Sequence, residues 1–324
     1  MISINFLQSV LADSGGCWDQ TRLAKIAGTS APDVILGKNH DLIRSDVHQQ
    51  WAKWFVESFV DPRSYNAVEY DYLKVFKDVW EAVNIHLSHI PHTQKRSAAS
   101  LIAKSVREFA DAINIVRKRE SIGYRNKRLL LDLSGSPPRC WHCGYIFSQE
   151  AIEMYLGNSK NEIRMPHLFD VLRPRGIIST DLKIEIDHLV PFSNGGNDDD
   201  NLILSCGWCN RHKSNHVSIY DVSGVPISCA ANEIGISSVP RPFWVLRVLS
   251  IRSSCEFHNG CDKSSKNEQL MIAPVCSKGA LNPTNLMVTC LEHDPLKERR
   301  FQPRNVIDSI WGYDRANPIA SNTL

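Results

Sequence analysis

From Leu7 to about Arg128 the apolar residues recur at helical intervals, with little Gly or Pro among them. Tyr72, Leu73, Phe76, Val79, Trp80 and Val83 form one stripe, and Ile102, Val106, Phe109, Ile113 and Val116 form a second with steps of four and three. Positions three and four apart share a helix face, so residues 1–128 read as an all-helical domain. The aromatic cluster Trp51, Trp54, Phe55, Phe59 is expected in its packed core. Beyond the turn-forming Ser134-Gly135-Ser136-Pro137-Pro138 the period changes. Lys183 to Pro191 alternates around β-branched residues, Ser193-Asn194-Gly195-Gly196-Asn197 has hairpin-turn chemistry, and Asn201-Leu202-Ile203-Leu204 resumes as strand. Asn210 to Asn215 then begin a short helix, and Glu150 to Leu156 carry helical spacing inside the segment from Phe147 to Thr180.

Composition narrows the class without naming a function. The 324 residues are 43% hydrophobic, enough for a real core and for more than one domain. Lys and Arg number 37 against 35 Asp and Glu, a net charge of +2, so a polyanion has to be held by a local basic surface. The densest basic run is Arg117, Lys118, Arg119, Arg125, Lys127 and Arg128, broken by one acid, Glu120. A charge run is often a solvated helix face, but its place just before the first cysteine pair favours nucleic acid, with Arg125, Lys127 and Arg128 as contacts. Arg173 and Arg175 in the inserted segment are the other expected backbone contacts. The first residues lack a basic segment followed by a long apolar core, and no stretch approaches about 18 apolar residues. No membrane association and a cytoplasmic location are the expectations.

Ten cysteines in such a chain point to metal, because disulfides are rare where thiols are kept reduced. Cys140-Trp141-His142-Cys143 and Cys206-Gly207-Trp208-Cys209 are two C-x-x-C halves, each able to turn two thiolates onto one tetrahedral ion. Together they predict a structural four-thiolate zinc site with no open position, closed by a folded segment between residues 143 and 206.

A zinc-knuckle half, Asp187-His188 ending a strand, Gly195-Gly196 in the hairpin loop, Asn201 leading the second strand and a second cysteine pair followed by Asn210 stand here in one order. In that combination residues 130–216 resemble the HNH endonuclease family. The resemblance implies a ββα-metal module in which Asp187 and Asn210 hold a catalytic divalent cation, Mg or Mn, and His188 is the general base. It also implies that Asn201 braces the loop holding that base. Many members have His directly after the last cysteine; Asn210 there makes the chain similar to a His-Asn-Asn subtype, with His212 as the alternative ligand. The residue types suit the chemistry. An ordinary imidazole titrates near 6.5 and can take a proton from water near neutral pH. A hard cation on oxygen ligands can neutralise charge growing on a phosphodiester. Glu185, one alternation step before Asp187, is expected to point outward.

After about Val239 the module is echoed. Val245 to Ser250 before Cys255 matches Arg128 to Leu133 before Cys140, and Asn285-Leu286-Met287-Val288-Thr289-Cys290 matches Asn201 to Cys206. The frame yields a second structural zinc site of Cys255, Cys261, Cys290 and His293, with Cys276 as a possible substitute ligand. Val275-Cys276 is the nearest counterpart of Asp187-His188, so this copy is expected to lack catalysis. Lys297, Arg299, Arg300 and Arg304 suit phosphate contact or plain solvation.

The expected fold is α+β: a helical domain over 1–128, an HNH module with a four-cysteine zinc site over 129–220, and a degenerate HNH-like zinc module over 221–324. The expected function is a metal-dependent endonuclease acting on DNA rather than RNA, of a kind that resembles restriction or phage-defence enzymes. A homodimer is expected on the ground that one such site cuts one strand, and the helical domain could dock a protein partner such as an ATPase. The rival is a non-catalytic, zinc-stabilised nucleic-acid-binding or protein-interaction subunit.

Overall fold

A computed structural model of the chain describes residues 4–13, 19–65, 71–114, 122–159, 162–190, 201–231, 235–257 and 260–312. Arg117, Lys118, Arg119, the Ser193 to Asn197 turn and Cys17 lie outside the described residues.

The helical region supplies α1 (Ile4–Asp13), α2 (Gln20–Ala27), α3 (Asp33–Leu36), α4 (His40–Phe59), α5 (Tyr72–His86), α6 (His92–Asn114) and α7 (Tyr124–Leu133). Asp71 caps α5 by accepting from Leu73 N, which satisfies one of the N–H groups a helix start leaves open. The seam between α5 and α6 is Val75, Val79 and Val83 against Ala99, Ile102, Ala103, Val106 and Ala110. The expected α5 stripe is therefore rotated: Leu73 is 68% exposed, and Tyr72, Phe76 and Trp80 flank the seam. Alanines on α6 leave room only for compact β-branched side chains at the centre, and the rings fill the margins.

Helix α4 corrects a second expectation. Trp51, Trp54 and Phe55 are exposed at 56%, 59% and 51% rather than packed. The start of α4 buries Leu42 and Ile43 in the core shared by the cysteine-rich modules, while Val56 and Phe59 at its end pack on the α5–α6 cluster. The turns that bridge the two clusters face water. Asp46 on the same helix is fully buried; its oxygens accept from Arg247 Nη2 and Ile219 N, both at 2.8 Å.

The rest of the chain adds α8 (Gln149–Leu156), β1 (Leu168–Asp170), β2 (Ile184–His188), β3 (Leu202–Cys206), α9 (Gly207–Lys213), β4 (Ile227–Ala231), β5 (Ile236–Val239), α10 (Pro242–Arg252), β6 (Leu270–Pro274), β7 (Leu286–Cys290), β8 (Phe301–Pro303) and α11 (Arg304–Trp311). Among the described residues every sheet is a two-stranded antiparallel ribbon, β1 with β8, β2 with β3, β4 with β5 and β6 with β7. Such ribbons are marginal alone, so the helices and the cysteine clusters must hold them.

The echo in the sequence is a structural repeat. Ile184 pairs with Cys206 and His188 with Leu202; Leu270 pairs with Cys290 and Pro274 with Leu286 in the same register. Trp141 N donates to Leu204 O as Glu256 N donates to Val288 O. This register corrects the expected counterpart of Asp187-His188 from Val275-Cys276 to Ala273-Pro274, which has neither carboxylate nor imidazole. The two copies touch closely. Leu270 N donates to Cys143 O at 2.9 Å, and Gly144 has φ +70 with no room for a Cβ against Glu268 O.

Of the C-terminal basic residues, Lys297, Arg299 and Arg304 are exposed and Arg300 departs from expectation. Arg300 is fully buried, donating to both oxygens of Asp294, to Asp170 Oδ1 and to Ile272 O. It joins β1, β6 and the turn after β7 into one unit, and Arg304 donates to Ile177 O. Removing one partner of a buried charge cluster strands the other, so Asp294→Ala should destabilise the fold by roughly 3–5 kcal/mol. Denaturant unfolding measures this; a midpoint equal to the parent's would show the cluster to be dispensable.

Candidate functional site

Two groups of side chains can hold zinc. Cys140, Cys143, Cys206 and Cys209 are all buried and bring their sulfurs within 4.8 Å of one another. Tetrahedral thiolates about 2.3 Å from one zinc lie about 3.8 Å apart, so the cluster needs little contraction to close on the ion. Cys206 N donates to Cys140 Sγ at 3.3 Å and Arg175 Nη1 to Cys143 Sγ at 3.4 Å, both of which stabilise thiolate. Burial pushes the Cys143 thiol up, but the neighbouring thiols and the charge of Arg173 outweigh it and hold Cys143 well below the ordinary range. The second group is Cys255, Cys261, Cys290 and His293, again within 4.8 Å. His293 turns Nδ1 toward Cys255 and Cys290, at 3.6 and 3.3 Å, and its ring stacks on Phe257 at 3.9 Å. Cys276 is exposed and lies in a different contact, so it is no member of this group.

Between the first two knuckles, strand alternation sends Glu185 and Asp187 to the face under α9 and Ile184, Ile186 and His188 to the other. Asp187 is 5% exposed. Its Oδ1 accepts from Lys213 Nζ at 2.7 Å and its Oδ2 faces His142 Nε2 at 2.9 Å. Burial alone would push this carboxyl up; the hydrogen bonds from His142 and Lys213, with the ammonium charge, outweigh it and hold the group below its usual range. Lys213 Nζ also donates to His188 O, tying the end of β2 to the end of α9. Asn210 Nδ2 donates to Glu185 Oε2, which leaves Asn210 Oδ1 as the free acceptor of that amide. Glu185 therefore points inward to α9, against expectation. His188 is half-buried at the strand end.

Asn201 is a clasp. Its Oδ1 accepts from Val190 N at 2.7 Å and its Nδ2 donates to Val190 O at 2.8 Å, while Leu189 N donates to Asn201 O. The chain leaving His188 is thus pinned across the hairpin. Asn285 makes the same clasp on Cys276 in the second copy. His212 packs tilted against Trp208, ring centres 4.5 Å apart, and contacts Arg211; burial, helped by the Arg211 charge, pushes it down to about 3.

The structure separates the expected basic contacts. Arg125 and Arg128 are exposed on α7. Lys127 donates to Tyr155 O at 3.1 Å and sits over the Tyr155 ring. Arg173 is buried with Nη2 on Leu270 O, so its guanidinium serves the junction of the two copies and presents no surface to a phosphate. Arg175 lies over Tyr145 at 3.7 Å and donates to Gln269 as well as Cys143. Reading the sequence missed His142 and Lys213. Lys213 stands four residues after Cys209, one helical turn on, and His142 is the second residue inside the first knuckle; that placement was the only signal of either.

Residues 176–216 match the family model of HNH endonucleases. The chain carries an HNH domain. Its matched segment begins before β2, ends after α9 and includes Asp187, His188, Asn201, Asn210 and Lys213. Neither curated proteins nor solved structures gave a match to the chain. An HNH domain points to nuclease activity and a nucleic-acid substrate, and no described helix is long and apolar enough to cross a membrane.

Metal analysis of the purified chain should find about two zinc ions, one per ligand group. Cys140→Ser and Cys255→Ser should each remove one. A parent value near one would eliminate the second site.

Proposed function

We propose that the chain is a metal-dependent endonuclease that hydrolyses phosphodiester bonds in DNA, in restriction or antiviral defence. The observation that supports this reading is the β2–β3–α9 unit closed by four cysteines, which carries Asp187, His188, Asn201 and Asn210 within the segment that matches the family model. His188 is the general base, at the strand end where Lys213 holds its carbonyl and the Asn201 clasp holds Val190 just beyond it.

Asp187 and Asn210 offer donors that fit a hard divalent cation in kind. They are an ionised carboxylate and an amide oxygen, and both zinc groups lack an open position. Mg²⁺ or Mn²⁺ held by Asp187 and Asn210 would supply positive charge for the phosphate oxygens and the departing 3′ oxygen. Lys213 now holds Asp187 Oδ1, and like charges repel, so its ammonium has to give ground as a cation binds. The chain's own residues do the rest. His188 takes a proton from the attacking water as the oxygen bonds to phosphorus, the bond to the 3′ oxygen breaks, and that oxygen leaves with a proton from solvent. Glu185 keeps the Asn210 amide from rotating, and Arg125 and Arg128 on exposed α7 offer contacts to flanking phosphates. A homodimer would bring two such sites to two strands, and the exposed α4 aromatics are where a protein partner could dock.

Two observations favour a non-catalytic, zinc-stabilised binding module: the closure of Asp187 beneath α9 by Lys213 and His142, and the strand alternation that turns His188 to the opposite face of β2. Supercoiled plasmid separates the two readings. With Mg²⁺ or Mn²⁺ the parent should nick it, and His188→Ala should lose about 10²–10⁴-fold in rate with zinc content and melting unchanged. Equal cutting by His188→Ala would refute the assignment of the base.

A further inference from the structure

His142 stands between two zinc-ligating cysteines but contributes nothing to the cluster. Its ring is 2% exposed and turned the other way, with Nε2 at 2.9 Å from Asp187 Oδ2 and Nδ1 at 2.7 Å from Ser250 Oγ. A carboxylate only accepts, so Nε2 carries the hydrogen of that contact. Ser250 lies on α10, the helix of the second zinc module, and its hydroxyl also reaches Leu246 O at 2.8 Å. The side chains thus form a line from α10 through the first knuckle to the end of β2. Each member is held from behind: Ser250 by its own helix, His142 by the flanking cysteines, and Asp187 by its strand.

The repeat offers an internal comparison. The residue two places after Cys140 is His142, and two places after Cys255 it is Phe257. The partner of Asp187 in the second hairpin is Ala273. Where the carboxylate is missing the imidazole is missing too, and Phe257 stacks on His293 instead. A ring needed only to pack beneath a zinc knuckle would not have to follow the carboxylate.

Resting on the nuclease reading of Asp187, we propose that His142 is a positioning residue for that carboxylate and that Ser250 makes the second zinc module a working part of the nuclease site. The second copy then supplies no chemistry of its own. It supplies the hydroxyl that sets the tilt of the His142 ring, and the ring fixes which carboxylate oxygen remains for a cation. Groups that orient a metal-binding side chain typically change metal affinity or activity by about 10–100-fold when lost.

The test uses the intact chain and Mn²⁺ as probe. Ser250→Ala is the informative variant, because alanine favours the helix and α10 is not weakened. It should raise the Mn²⁺ concentration for half-maximal plasmid nicking by about 10-fold. Mn²⁺ binding to the protein without DNA, followed by loss of the free-ion electron paramagnetic resonance signal, should weaken by the same factor. Zinc content and melting temperature should not move. His142→Gln keeps an N–H for Asp187 but cannot reach Ser250, so adding Ser250→Ala to it should have no further effect. If Asp187→Ala abolishes nicking and Mn²⁺ binding while Ser250→Ala leaves both at the parent level, the positioning role is overturned and the nuclease reading stands. Additive effects of His142→Gln and Ser250→Ala also overturn it. If Asp187→Ala itself changes neither readout, the reading of Asp187 falls and the positioning role falls with it.

Discussion

Four thiolates that must meet at one point, two of them before residue 144 and two after residue 205, constrain most of this chain. For Cys140 and Cys143 to reach Cys206 and Cys209, the segment between them has to run out through α8 and β1 and return as β2. The first knuckle then lies against β3, where Trp141 N meets Leu204 O, and against the second module, where Cys143 O meets Leu270 N. Structural zinc contributes about 10–16 kcal/mol of apparent folding free energy in small finger peptides, comparable to the whole stability of a domain. Without it, four buried thiols crowd together and a two-stranded ribbon is left to hold itself.

The repeat sorts fold from chemistry inside a single chain. Both copies keep the helix before the first cysteine, the hairpin register, the asparagine clasp and a four-ligand metal group. These features build the module whether or not it acts on anything, so Asn201 has a sufficient structural reason to be where it is. Beyond the ligand sets themselves, the copies differ where chemistry is expected: Asp187-His188 against Ala273-Pro274, His142 against Phe257, and Asn210 against Asp294 four positions after the matching cysteines. Asp294 has been drawn into the buried cluster of Arg300, where its charge supports the core instead of facing a ligand. The second module has kept its frame, and its polar groups now bind the protein to itself.

Local spacing made some of this legible in the sequence and left the rest hidden. Cysteine pairs with two residues between them, β-branched alternation over Lys183 to Pro191 and the Asn201 and Asn285 frames each encode a contact that nearby residues decide. The inward turn of Glu185, the burial of Arg173 and Arg300, and the exposure of Trp51 and Trp54 depend on which elements pack together across the chain. Charge and hydrophobicity alone could not assign them. Arg300 reads as a surface residue until Asp170, 130 positions away, is seen beside it. The link from Ser250 to His142 spans 108 positions and has no sequence signature.

On the proposed nuclease reading, Asp187 and Asn210 form an oxygen-ligand site distinct from two closed zinc sites. Anomalous diffraction from crystals of the intact chain grown with Mn²⁺, recorded at the zinc and manganese edges, tests it directly. Zinc peaks are expected within both cysteine-rich groups and one manganese peak between Asp187 and Asn210, with Lys213 moved off the carboxylate. Zinc at both groups, no manganese, and Lys213 still bonded to Asp187 would contradict it.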